Sequence, residues 1–594
     1  MLAVTAALPY RRPVALPVRT AVAAAERPTL VEAARGLGWA PDPATRAFLR
    51  ALGAAIGRRR GPVRVAVLTS ASDDRMARVL VRAKRRARMT VVDVSATASE
   101  VHVALAAGGR FDVVVDDTRC GRDRLALFRG CFPHLRSHGS YLVSDVERDG
   151  VLAHRLAELQ AEGRRQPRGR NEQDDVDLGR TIGEVTVEHD HVVVTSRGRA
   201  WAKVSEDEVD RVLALRGGSA GRVVTRLPQV GFRSRGTLRQ SPLIRTGPPS
   251  RQEPFPETYD VPAVSLREYQ DVVCLSGQVA LLDNVVLPDS YRKNHRRRLR
   301  NHRIRDVGRR FGVPRGARGE VRDLEGPFFY LDSEYRGHFG HAMTEQLSRL
   351  WAWREAKERQ PELGALMLGT ARSPRLQGFE KALYAAAGVA PDDLVIADGP
   401  VRVERLLAAT PMFSQPFYVH PDLCELWDQV GGALAQAAPE RDYPRRLFVA
   451  RRGAARACRN PADLEAMFTD RGFEVVYPED FSLAEQVAMF RGAEVIGGHA
   501  GSALFHLCLT GSPKHVVMVA PDSYIARNEH LMACALGHTL DVVWSASEVR
   551  MPDDRFSRDA FTSGFTFDVH REGRYLADLL DADAWLDGAT AHRL

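Results

Sequence analysis

The chain has 594 residues, too many for one hydrophobic core, so about two to four domains are expected. Hydrophobic residues make up 44% and charged residues 27%, which excludes a disordered or fibrous chain. The net charge is +9, carried by 84 basic residues that are mostly arginine.

Seven scattered cysteines form no Cys-x-x-Cys pair, which fits a reducing compartment and argues against a structural zinc site. No apolar run reaches the ~18 to 20 residues of a membrane helix. The start, residues 1–60, reads as a partly helical lead-in broken by prolines, not as a signal peptide. A cytoplasmic protein is expected.

From Val63 the texture changes to short apolar runs, "VRVAVLTS", "MTVVDVS", "FDVVVDD" and "GSYLVSDVE", separated by charged stretches. This predicts a parallel sheet with crossover helices over 61–150. The polar tract "ELQAEGRRQPRGRNEQDDVDLG" reads as a linker. A strand-rich segment follows, so that 151–260 is expected to be linker and β structure, with the proline-rich "LIRTGPPSRQEPFPETYDVP" as an exposed connection.

The dense basic run "YRKNHRRRLRNHRIRDVGRR", residues 291–310, has two readings. One is a solvated surface segment; the other is attraction to anionic lipid headgroups or a polyanionic acceptor. Nucleic acid is not expected, because no aromatic residues are interleaved for base stacking.

The last part carries five strand candidates: "RRLFVARR", "FEVVYPE", "AEVIGG", "KHVVMVAP" and "LDVVW". Between them, Asn460-Pro461 reads as a helix N-cap and first-turn proline, and "SLAE" at 482–485 as a capping box. Alternation at these lengths predicts a parallel, Rossmann-like sheet, in which ligands bind beyond the carboxyl ends of the strands. Arg451 and Arg452, Glu479, and the glycine-rich "GGHAGS" sit at those ends. Paired guanidiniums beside a helix start suit a diphosphate. The alternative is a surface arginine pair and a tight turn.

The run 444–507, "PRRLFVARRGAARACRNPADLEAMFTDRGFEVVYPEDFSLAEQVAMFRGAEVIGGHAGSALFHL", resembles the family 61 glycosyltransferases. Upstream, "GHFGHAMTEQLSRLW" is similar to a second motif of that family. The resemblance implies a catalytic region over 261–549, built as a GT-B pair of Rossmann-like lobes, with 550–594 as a helical tail. It implies inverting transfer of a sugar from a nucleotide-sugar donor to an acceptor hydroxyl, in polysaccharide or glycoconjugate assembly. The acceptor would be a saccharide or a lipid-linked sugar, the latter with membrane contact through 291–310. Carried over by position, Arg451 and Arg452 face the donor diphosphate, and Gly498, Gly501, Ser502 and His506 line the donor loop. This chain departs from the pattern: Ala500 takes the usual histidine position, His499 lies one residue early, and His506 replaces asparagine.

In the upstream motif, Phe339, Met343, Leu347 and Leu350 fall on one helical face, and His338, His341, Glu345 and Arg349 on the other. The second face reads either as solvated or as catalytic. Inverting transfer needs one general base, and His341 or Glu345 is expected to supply it, with Asp332 and Glu334 as further candidates. No cofactor and no metal are expected. The one Asp-x-Asp triplet, Asp581 to Asp583, reads as incidental, and the His338/His341 pair lacks a third ligand.

Residues 111–147 resemble the second half of class I S-adenosylmethionine-dependent methyltransferases, with Asp93 matching their ribose-binding acid. Ser70, Ala71 and Ser72 stand where those enzymes carry a glycine-rich loop, so the domain is expected to be degenerate. A bifunctional methyl- and glycosyltransferase, and a binding protein that has lost catalysis, are the alternatives.

Overall fold

The computed structural model describes residues 28–58, 61–70, 75–83, 87–118, 123–144, 150–167, 170–188, 191–241, 256–315, 320–370, 373–453, 455–553 and 555–581. The start of the lead-in, Ala71 and Ser72, most of the proline-rich connection and Asp583 lie outside them. The chain divides into two units, residues 1–222 with 279–318, and residues 223–278 with 319–594.

In the first unit, strands β1 (Val63–Thr69), β2 (Ala87–Asp93), β3 (Phe111–Asp116), β4 (Leu135–Ser144), β5 (Ile182–Glu188) and β6 (His191–Ser196) form a sheet in the order β2-β1-β3-β4-β6-β5. The first four are parallel, and the β5–β6 hairpin is added antiparallel along β4. Alternation along β1 explains the double covering. Val63, Val65 and Val67 pack with helices Leu30–Arg35 and Pro43–Gly57, while Ala66 and Leu68 face helix Ala98–Gly108 on the other side.

Much of the polar tract is helical: it begins in helix Gly150–Glu162 and ends in helix Arg170–Gly179, and these helices bury Leu156, Leu159, Val176 and Leu178. Its charges mask that periodicity, and they have partners. Asp174 binds Arg298 at 3.0 Å and Asp177 lies 3.6 Å from Arg305, both arginines of the basic run. Arg310 of the same run binds the buried Glu208 at 2.8 Å. Part of that run is therefore internal ion pairing, anchored by the buried Tyr291, Asn294, Leu299 and Asn301; Lys293, Arg296, Arg297, Arg300 and Arg309 are exposed.

Among its described residues, the second unit holds two large sheets besides two short two-stranded ones. The large sheets include strands β7 (Thr237–Gln240), β8 (Val264–Leu275), β9 (Arg322–Tyr330), β10 (Gly364–Leu368), β11 (Leu394–Ala397), β12 (Val401–Ala409), β13 (Arg446–Val449), β14 (Glu474–Val476), β15 (Val495–His499), β16 (His515–Pro521) and β17 (Thr539–Ser545). One sheet runs β8-β12-β9-β10-β11, parallel except for the β8–β12 pair. The other runs β7-β17-β16-β15-β13-β14, parallel throughout.

The five strands expected from the last part of the sequence form this second sheet. Its two faces again alternate, Leu447 and Val449 packing on one side and Phe448 and Ala450 on the other. The tail belongs to its core: Phe565, Phe567, Leu576 and Leu580 are buried against Phe448 and Phe468. The Ser482–Glu485 capping box forms as expected. Asn460 does not cap its helix. Its side chain instead accepts from the Phe567 amide and donates to the Phe567 carbonyl, tying down the tail.

Candidate active site

The upstream motif is an irregular helix. Phe339–His341 is α-helical, Ala342–Gln346 is a π turn, Leu347–Ala352 is 3₁₀, and Trp353–Arg359 returns to α. Its two faces are not simply apolar and polar. Arg349 is 3% exposed and donates to the Asp332 carbonyl at 3.2 Å. Asp332 is itself fully buried, its carboxylate accepting the amides of Gln278 and Leu368. Burial pushes its carboxyl up to about 6, against the pull of those amides. Asp332 thus knits the backbone of its own sheet.

His341 and Glu345 remain partly accessible, at 21% and 14% of their side chains, and pair through Nδ1 and Oε1 at 2.9 Å. The Tyr335 ring stacks on the imidazole at 4.5 Å and 14°, and His338 meets it edge-on at 4.8 Å. With Nδ1 engaged by the carboxylate, Nε2 is the nitrogen left to take a proton.

The helix start abuts the glycine-rich loop. A β-carbon at Gly340 would lie 3.1 Å from the Ser502 Cβ and 3.0 Å from the Phe505 ring. Phe339 stacks on His506 at 5.1 Å. The two motifs are therefore packed against each other, although more than 150 residues separate them in the chain.

Gly501 follows β15 with φ +136° and ψ −170°, a region open essentially to glycine alone. A β-carbon there would stand 3.0 Å from an Arg456 nitrogen and 3.3 Å from an Arg451 nitrogen. Two guanidiniums thus converge on the turn. Partial burial, with Arg456 beside it, lowers the Arg451 pKa to about 10, so Arg451 remains cationic at neutral pH. The Gly501 amide is not free for a ligand, because it donates to the buried Glu529 at 2.8 Å.

Arg452 is placed differently. It makes a two-pronged pair with Asp480, at 2.5 and 2.7 Å, and lies over the Tyr477 ring at 4.2 Å. Glu479 is exposed in the turn after β14, where its charge acts on both Arg451 and Arg452. Gly498 is held by packing, since a β-carbon would meet Leu504 at 2.9 Å and Val449 at 3.1 Å.

His499 and His506 are buried, at 6% and 1% exposure, and burial lowers each to about 4. His499 lies edge-on to Phe448, and His506 bonds the Ala503 carbonyl at 2.8 Å. Sequence reasoning missed Arg456. It lies in the loop "GAARACRN" with φ +55°, where no periodicity singles it out.

The unit is thus an α/β protein whose paired histidine and carboxylate lie on a helix that starts against a loop flanked by two arginines. Residues 339–519 match the family model described as Glycosyltransferase 61, so the C-terminal part of the chain carries a domain of that family. No curated protein matches the chain.

The N-terminal region resembles solved methyltransferases at low identity. One is the MycE methyltransferase from the mycinamycin biosynthetic pathway, in complex with Mg, SAH and mycinamycin VI, at 16% identity and TM-score 0.24. That match covers 29% of this chain and 54% of the other, so the chain spans about half the length of MycE. Another is the release factor-specific protein-(glutamine-N5) methyltransferase from Alicyclobacillus acidocaldarius, at 16% identity and TM-score 0.20. It covers 27% of this chain and 94% of that one.

Proposed function

We propose that the second unit transfers a sugar, with inversion, from a nucleotide-sugar donor to an acceptor hydroxyl, its two sheets serving as the lobes of a GT-B enzyme. The observation that carries this reading is the convergence of Arg451 and Arg456 on Gly501, beside the helix that bears His341 and Glu345.

In this reading His341 Nε2 removes the acceptor hydroxyl proton as the oxygen attacks the anomeric carbon. Glu345 holds the imidazole and stabilises the imidazolium that forms. The bond from the anomeric carbon to the phosphate oxygen breaks, and the nucleoside diphosphate leaves carrying the electron pair. Arg451 and Arg456 receive that developing charge, which is where preorganised cations are most effective. The exposed arginines of 291–310 would face the anionic headgroups around a lipid-linked acceptor in polysaccharide or glycoconjugate assembly.

Calorimetric titration with uridine, guanosine, cytidine and thymidine diphosphates tests the reading. Saturable binding of at least one is expected, with slow hydrolysis of the matching nucleotide-sugar. Failure of all four to bind would overturn it.

A further inference from the structure

Behind the Gly501 turn lies a carboxylate that the transfer step does not use. Glu529, the second residue of helix Asn528–Leu536, is 1% exposed. Its Oε1 accepts the Gly501 amide at 2.8 Å and the Tyr524 hydroxyl at 3.0 Å; Oε2 lies 3.1 Å from the same hydroxyl. Tyr524 is buried too, and its ring stacks on Phe561 at 5.6 Å. The Arg456 guanidinium lies over both rings, 5.2 Å from each.

One buried carboxylate is therefore bonded to the turn that approaches the ligand and to the ring that carries one of the two arginines. Burying an acid is costly unless its oxygens are satisfied and its charge is offset. Here burial raises the carboxyl above its usual range, and the two donors, with Arg456 nearby, offset part of that cost. Removing the carboxylate would release both the Gly501 conformation and the support of Arg456 at once.

We infer that Glu529 is a positioning residue of the donor site: it holds the Gly501 turn and, through Tyr524, the Arg456 guanidinium in the geometry that receives the diphosphate. The inference rests on the reading of Arg451, Arg456 and Gly501 as that site. It also implies that the turn meets its ligand with guanidinium charge, because Glu529 already engages the Gly501 amide.

The test compares the full chain with Glu529→Ala, Glu529→Gln and Tyr524→Phe, using uridine and guanosine diphosphates as probes alongside steady-state transfer. Glu529→Ala should weaken diphosphate binding about tenfold or more and raise the donor KM by the same factor, with the acceptor KM unchanged. Glu529→Gln keeps an oxygen for the Gly501 amide and should restore most of that loss. Tyr524→Phe, which keeps the turn but drops the hydroxyl, should fall between.

Should Glu529→Ala fail to fold, the other two variants carry the test through thermal melts and binding. Folded variants that bind the probes as tightly as the unaltered chain would overturn the positioning role alone. Where the unaltered chain binds neither of these two, cytidine and thymidine diphosphates replace them as probes; if it binds none of the four, the donor-site reading fails and the inference falls with it.

Discussion

A β-carbon on Gly340 would come within 3.1 Å of the Ser502 Cβ, so the start of the helix that bears His341 and the start of the glycine-rich loop meet with no room for a methyl group. The contact also involves the Phe505 ring at 3.0 Å, which is held in the core. Gly340→Ala is therefore expected to push helix and loop apart by a few tenths of an ångström, at about 1–3 kcal/mol of strain. Turnover should drop more than the melting temperature does, and paired activity and thermal-melt measurements would show it.

The two arginines at Gly501 should separate from their neighbour in a binding experiment. Arg451→Ala and Arg456→Ala are each expected to weaken nucleoside diphosphate binding about 10- to 100-fold, the loss of a charged hydrogen bond of about 1.5–3 kcal/mol. Arg452→Ala, which breaks the exposed pair with Asp480 and the stacking on Tyr477, should change binding by no more than about twofold. Titration calorimetry on the three variants gives the comparison, and equal losses at all three would contradict the assignment.

His341→Ala and Glu345→Gln should leave diphosphate binding near that of the unaltered chain while turnover falls about 10²- to 10⁴-fold, the usual share of a general base. Single-turnover assays with bound donor would measure it. Full activity in both variants would remove the pair from the mechanism.

At Gly501 the backbone conformation itself is at stake. An alanine there would sit at φ +136° with two guanidiniums 3.0 and 3.3 Å away. Gly501→Ala is expected to cost about 1–3 kcal/mol of stability, from strain in a glycine-only region. Denaturant melts measure that cost, and diphosphate titration should show binding lost beyond it.

The buried His506 makes an acid-sensitivity prediction. Burial lowers its folded pKa to about 4 from the ordinary imidazole value of about 6.5, so the unfolded chain binds more protons between those values. Its contribution to stability is complete above about pH 6.5 and is lost as the pH falls toward 4. His506→Phe keeps the aromatic packing against Phe339 and Phe490 and should reduce acid destabilisation at pH 5 by about 2 kcal/mol. Urea melts of both proteins at pH 7 and pH 5 provide the check.

Much of this architecture could be read from the chain because strands buried on both faces appear as apolar runs. "KHVVMVAP" and "AEVIGG" could hardly be anything else. The misses have physical reasons too. β7 is the short, polar "TLRQ", a strand only because β17 lies alongside it. The helices of 150–179 were hidden by charges whose partners lie over a hundred residues away in the basic run. The π and 3₁₀ turns of 342–352 carry the same apolar spacing as an α-helix, so periodicity could not reveal them. Arg456 stands in an aperiodic loop, and only the folded chain brings it to Gly501.

The pairing of β7 with β17 reaches across some 300 residues, and Arg239 on the first closes a two-pronged bond with Asp541, which is fully buried on the second. The stretch matched to the glycosyltransferase family stops at 519, inside β16, and contains neither strand. A fragment trimmed to that match would bare a row of unpaired peptide groups along β16, and one extended to take in β17 alone would leave the buried Asp541 with His515 but without its two-pronged partner Arg239. The unit is also interrupted by 279–318, which folds with the other unit. The stretch 339–519 is therefore not a self-sufficient folding cassette, and any inheritance of it as a folded body has to carry the flanking strands along.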